Sequence, residues 1–125
     1  MLRCPIYEPG YLGENICYAV GGRSVIVAGG TRGIGYGIAE VFADAGASVT
    51  IVARNPGIAA QAATRLADRG ATVDFVIADI SRPSKCARVA GDGVARRGGI
   101  DVSCANAGMF NGKKLAAMTE ADCDE

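Results

Sequence analysis

The stretch VIVAGGTRGIGYGIAEVF, residues 25–42, decides the fold. A run of β-branched residues meets a cluster of glycines, and a helical pattern follows. Ile34, Ile38, Val41, Phe42 and Ala45 recur at one helical face, and Gly46 stands where such a helix stops. The stretch therefore reads as strand, sharp turn, helix. The first turn of a helix carries free N–H groups and the positive end of the helix dipole, which attract phosphate. Glycine lets the backbone come close to that phosphate and turn sharply. Gly29, Gly33 and Gly35 give a G-x-x-x-G-x-G spacing. It is not G-x-G-x-x-G, because Ile38 stands where the third glycine falls. Nor is it a P-loop, since no Lys-Ser/Thr pair follows.

Outward from this unit the pattern repeats. Runs SVIVA (24–28), SVTIVA (48–53), TVDFVIA (72–78) and IDVSCA (100–105) have strand character. Helical patterns separate them. Ile58, Ala62 and Leu66, with Ala59 and Ala63, form a second stripe that Gly70 ends. A third helix, Pro83 to about Arg97, is weaker because Gly91 and Gly93 lie inside it. Strands alternating with helices mean βαβ units and a parallel sheet. The apolar character of the runs implies helices on both faces. Right-handed crossovers then build an α/β, Rossmann-like, doubly wound sheet of about four strands with order 3-2-1-4. Thr119 and Asp122 have capping-box spacing, so a further helix begins near the end of the chain. Residues 1–22 read as an irregular arm, broken by Pro5, Glu8, Pro9 and Glu14, and 23–125 as one partial nucleotide-binding domain.

Composition narrows the function. Lys+Arg and Asp+Glu both number 13, giving a net charge of zero. That removes the electrostatic case for nucleic acid or an anionic membrane. There is no histidine, which excludes histidine triads and histidine metal sites, and no metal is expected. The cysteines at 4, 17, 86, 104 and 123 form no C-x-x-C pair. They are expected to be reduced, mostly buried thiols in a cytoplasmic protein.

A second chemical element is ANAG, Ala105 to Gly108, just past the fourth strand. In a 3-2-1-4 sheet the carboxyl ends of strands 1 and 4 flank the topological switch point, where ligands bind. The glycine turn and the Asn106 loop thus converge. Together they resemble the short-chain dehydrogenase/reductase family, in its ketoacyl-reductase-like branch. The family's T-G-x-x-x-G-x-G loop is matched by residues 28–35, and its N-N-A-G signature by residues 105–108. Ala28 replaces the usual threonine and Ala105 the usual first asparagine, each removing a side-chain hydrogen bond.

The resemblance implies a dinucleotide held by Gly29, Thr31, Arg32, Gly33, Ile34, Gly35, Arg54, Asp79, Ile80, Asn106, Ala107 and Gly108. In such folds an acidic residue at the end of strand 2 binds the ribose hydroxyls and repels a 2′-phosphate. No Asp or Glu occurs from Ala45 to Ala67; Arg54 stands at the strand end instead, with Arg32 in the glycine turn. Two guanidinium groups favour NADP(H) over NAD(H). Asp79 is expected at the adenine, with Ile80 lining its pocket.

The family's chemistry resembles acid–base catalysis by a tyrosine, with a lysine four residues later and a serine beside the carbonyl. Tyrosines here lie at 7, 11, 18 and 36, and none has lysine at +4. The resemblance therefore implies NADP(H)-dependent ketone reduction or alcohol oxidation, while this chain is expected to bind cofactor without turnover. The alternative is a non-catalytic nucleotide-binding or interaction fragment, a truncated gene product. On either reading strand 4 is an exposed edge, which an oligomer or a partner is expected to cover.

Overall fold

A computed structural model describes residues 20–109 and 112–123. The arm expected over residues 1–22 lies mostly outside the described residues. Strands β1 (Ser24–Ala28), β2 (Ser48–Ala53), β3 (Thr72–Ile77) and β4 (Val102–Ala105) alternate with helices α1 (Gly33–Asp44), α2 (Pro56–Ala67) and α3 (Pro83–Arg97). A 3₁₀ turn (Leu115–Ala117) and a short helix α4 (Glu120–Cys123) follow. All neighbouring strands are parallel, in the order β3-β2-β1-β4. The α/β doubly wound architecture is thus as the sequence implies.

Two cores flank the sheet. Val25, Val27, Val49 and Ile51 face Ala39 and Ala43 of α1 and Ala62 and Leu66 of α2. On the other face, Ile26, Val52 and Val76 pack with Val89 of α3. Successive strand residues point to opposite faces, so a strand covered on both sides has no polar side.

Several local expectations are corrected. The buried stripe of α1 is Gly35, Ala39 and Ala43, while Ile34 and Val41 are exposed. Small residues win the sheet side because they let the helix axis approach the strands. Ile38 and Phe42 only flank this core, although Ala45, just past the helix, is buried. For the same reason α2 buries Ala59, Ala62, Ala63 and Leu66 but leaves Ile58 exposed. Helix α3 runs unbroken through Gly91 and Gly93. Gly93 is a packing residue there: a Cβ on it would lie 3.0 Å from Ile26 Cδ1. β3 ends at Ile77 rather than Ala78, and β4 begins at Val102 rather than Ile100. β4 is not buried on both faces, since Ser103 and Ala105 are exposed. Cys86 is an exposed thiol, not a buried one, and Cys104 is half-buried.

Helix ends follow their chemistry. Asn55 caps α2 by accepting from the Ile58 N–H at 3.1 Å, with Pro56 at the first helical position. Arg69 bonds Glu40 and Asp44, and the Arg65 guanidinium lies 4.5 Å from the Tyr36 ring centre. These contacts lock α2 against α1, and Tyr36 serves there as a packing residue.

Candidate functional site

The carboxyl ends of all four strands open into one cleft of about 970 Å³. That is within the usual range of roughly 300–1,000 Å³ for small-molecule sites. The β1 turn contributes Gly29, Thr31, Arg32 and Gly33; β2 contributes Arg54; β3 contributes Asp79 and Ile80; β4 contributes Asn106, Ala107 and Gly108. Ten of the twelve residues expected at a dinucleotide therefore line one cleft. Ile34 and Gly35 do not line it.

Gly35 acts from underneath. A Cβ at this position would lie 2.1 Å from the Gly29 carbonyl oxygen and 2.4 Å from Asn106 Nδ2. Only a hydrogen fits between helix and turn. Gly29 takes φ +72°, and a Cβ on it would meet the Ala107 Cα at 3.0 Å. The β1 turn and the β4 loop are thus in direct contact. Asn106 joins them, its Nδ2 donating to the Ala28 and Gly29 carbonyls at 3.4 Å each. These long bonds serve the segment where Ala28 and Ala105 lack polar side chains.

The first turn of α1 is unlike that of α2. Its N-cap, Arg32, makes no side-chain capping bond, and no acidic residue sits in the turn. The helix therefore presents uncapped N–H groups and its positive dipole end beside the cleft. At Gly33 a Cβ would meet nothing within 4 Å, so the space above the turn is open. An anionic group such as a pyrophosphate fits this cradle.

Arg32 and Arg54 stand exposed on the cleft wall, and neither lies within salt-bridge distance of a carboxylate among the described residues. Asp79 accepts from the Ser81 hydroxyl at 2.8 Å and the Ser81 N–H at 3.1 Å. Those two bonds, aided by the nearby charges of Arg54 and Arg82, hold its carboxyl below the usual range. Asp79 thus shapes the loop before α3 and stays ionised at the cleft.

The sequence reading missed a further wall. Ser81, Met109, Met118 and Asp122 also line the cleft. Lys113 donates to Asp122 Oδ1, and the Thr119 N–H and hydroxyl donate to Oδ2 at 2.8 and 2.7 Å. Lys113 first, then Thr119, keeps the Asp122 carboxyl below its ordinary value. The Thr119–Asp122 spacing had signalled a helix start, and the capping-type bond is present. Nothing in that spacing signals that the helix faces the cleft.

A sequence profile described as short chain dehydrogenase matches residues 23–125. No match was found among curated proteins. Solved structures share the fold and part of the sequence. A citronellol catabolism dehydrogenase of Pseudomonas aeruginosa is 27% identical, with a TM-score of 0.76, over 96% of this chain and 46% of its own. A 3-oxoacyl (acyl-carrier-protein) reductase of Agrobacterium tumefaciens, solved with NADP bound, is 28% identical, TM-score 0.78, over 95% of this chain and 45% of its own. The L-sorbose reductase of Gluconobacter frateurii, complexed with NADPH and L-sorbose, is 28% identical, TM-score 0.77, over 84% and 40%. The chain spans less than half the length of each of these proteins.

Proposed function

Because the chain belongs to the short chain dehydrogenase family, we propose that its cleft binds NADP(H) and serves an oxidoreductase reaction, reduction of a ketone or oxidation of an alcohol. Residues 23–125 form the nucleotide-binding portion. The cofactor would supply the hydride. The described residues supply its seat. Gly29, Gly33 and the uncapped start of α1 receive the pyrophosphate, while Gly35 and Asn106 hold that turn in place. Ile34, which follows Gly33 at the start of α1, adds a backbone N–H to the same cradle. Asp79 and Ile80 take the adenine end, and Ala107 and Gly108 border the far side. Thr31 adds a hydroxyl beside the ribose. The setting is cytoplasmic.

The single observation that carries the NADP(H) preference is the pair Arg32 and Arg54 on the cleft wall, without an acidic residue after β2. A 2′-phosphate there gains charge-assisted, bidentate hydrogen bonds. Two NADP(H)-bound relatives support the same choice of cofactor class. The test is an Arg54→Asp variant titrated with NADPH and NADH. Loss of one guanidinium and gain of a carboxylate should weaken NADPH at least about tenfold and leave NADH equal or tighter. Unchanged selectivity contradicts the assignment.

The 125 residues contain no tyrosine followed at +4 by lysine. Cofactor binding without carbonyl reduction is therefore the expected behaviour of this chain by itself. Carbonyl-dependent oxidation of NADPH by the purified chain overturns that part. A second reading, an interaction module, is favoured by one feature: among the described residues the outer edge of β4 is unpaired, with Ser103 and Ala105 exposed. An oligomer or a partner covering that edge is compatible with cofactor binding.

A further inference from the structure

The cleft has two ends. The sheet order β3-β2-β1-β4 puts the Asp79 loop, after β3, at one end and the Asn106 loop, after β4, at the other. Three inter-strand spacings separate them, about 14 Å. On the cofactor reading given above, on which this inference rests, the adenine lies at the β3 end. The reacting end of the dinucleotide, and with it the substrate, then lies toward β4.

Among the described residues, the polar side chains that line the β4 end are already engaged. Asn106 gives its Nδ2 donors to the Ala28 and Gly29 carbonyls. Asp122 accepts from Lys113 through Oδ1, and from the Thr119 N–H and hydroxyl through Oδ2 at 2.8 and 2.7 Å. Ala107 and Gly108 carry no polar side chain. The side chains left to meet a substrate are two thioethers. Met109 follows Gly108 directly, lines the cleft and is 67% exposed. Met118 lines the same cleft half-buried. A large apolar side chain standing exposed inside a cleft is surface still to be covered. Methionine is unbranched and soft, so it moulds to apolar groups of varied shape. Hydroxyls pressed against it lose water without gaining a partner.

We propose that Met109 and Met118 form the substrate wall of the cleft, and that the substrate is a ketone or alcohol with a flexible aliphatic chain rather than a polyol. The oxygen-bearing carbon faces the cofactor, and the chain lies along the two thioethers.

The test uses the full chain with isotope-labelled methionine methyl groups, saturated with NADPH. It is titrated with 2-octanone and, separately, with sorbitol, while magnetic resonance follows the methyl signals. Met109→Leu and Met118→Leu variants assign the two signals, and a calorimetric titration records NADPH binding. 2-Octanone should shift both signals saturably, at concentrations at least about tenfold lower than sorbitol requires. Met109→Gln keeps the side-chain length but adds an amide. It should shrink that preference at least about threefold, with the urea midpoint as in the parent, which shows that the fold is retained. NADPH binding with methionine signals that ignore 2-octanone, or that respond equally to sorbitol, overturns the substrate wall alone. An unchanged preference in Met109→Gln and in Met118→Gln overturns the role of the two methionines. No NADPH binding overturns the cofactor reading and the substrate wall with it.

Discussion

Single residues fix the cleft more tightly than the glycine count suggests. Gly35 is the severest case, because its Cβ would overlap the Gly29 carbonyl. Gly35→Ala must push the turn away from α1, at a cost of about 1–3 kcal/mol or more, and should abolish nucleotide binding. Chemical denaturation and a binding titration check both. Asn106→Ala removes the link to the Ala28 and Gly29 carbonyls. It should cost about 1 kcal/mol and weaken binding while the fold survives. At the opposite end of the strands, Asp101 accepts from the Ser24 N–H at 2.8 Å and pairs with Arg23 at 3.1 Å. The Ser24 bond is the main reason its carboxyl lies below the ordinary 3.8. A carboxyl depressed in the folded state stabilises above its unfolded value and loses that contribution as pH falls through the folded value. Asp101→Asn should therefore be less stable than the parent at pH 7, and the gap should shrink as pH falls below 3.8. Denaturation at the two ends of that range measures it; a gap independent of pH contradicts this account.

Helices and strands were legible in the sequence to different degrees. The four strands and three helices follow from apolar runs and from stops such as Gly46 and Gly70, both at positive φ. The inward face of α1 was not legible. Periodicity favours the larger apolar residues, Ile34 and Val41, whereas close approach to the sheet selects Gly35, Ala39 and Ala43. Apolar volume and helix–sheet distance compete, and only the packed molecule shows which wins. The glycines of α3 make the same point. Gly91 is exposed with nothing within 4 Å of an added Cβ, while Gly93 meets Ile26 and Ile100. Gly91→Ala should raise stability by about 0.5–1 kcal/mol through helix propensity. Gly93→Val should lower it by about 1–3 kcal/mol through overpacking. Thermal or urea melts of the pair separate propensity from packing.

For the whole molecule, the expected order 3-2-1-4 placed the β1 turn and the Asn106 loop side by side, and ten expected site residues share one cleft. The flank built by Met118 and Asp122 was not foreseeable, because it comes from a segment whose position no local pattern specifies. Among the described residues the same topology leaves β4 as an edge strand, and Val94 of α3 and Met109 after the strand are exposed. Open apolar edges recruit further strands. The 125-residue chain should therefore associate as its concentration rises, and Ser103→Lys should suppress this. Sedimentation velocity over a concentration series checks it, and a monodisperse monomer throughout contradicts it.

The proposed function makes the cleft at the carboxyl ends of the strands a seat for a phosphorylated dinucleotide. Its most direct test is a calorimetric titration of the unmodified chain with NADPH and, separately, NADH. One NADPH site per chain is expected, at least about tenfold tighter than NADH because a charged 2′-phosphate meets Arg32 and Arg54. Equal affinity for the two cofactors contradicts the phosphate assignment, and no binding of either contradicts the site itself.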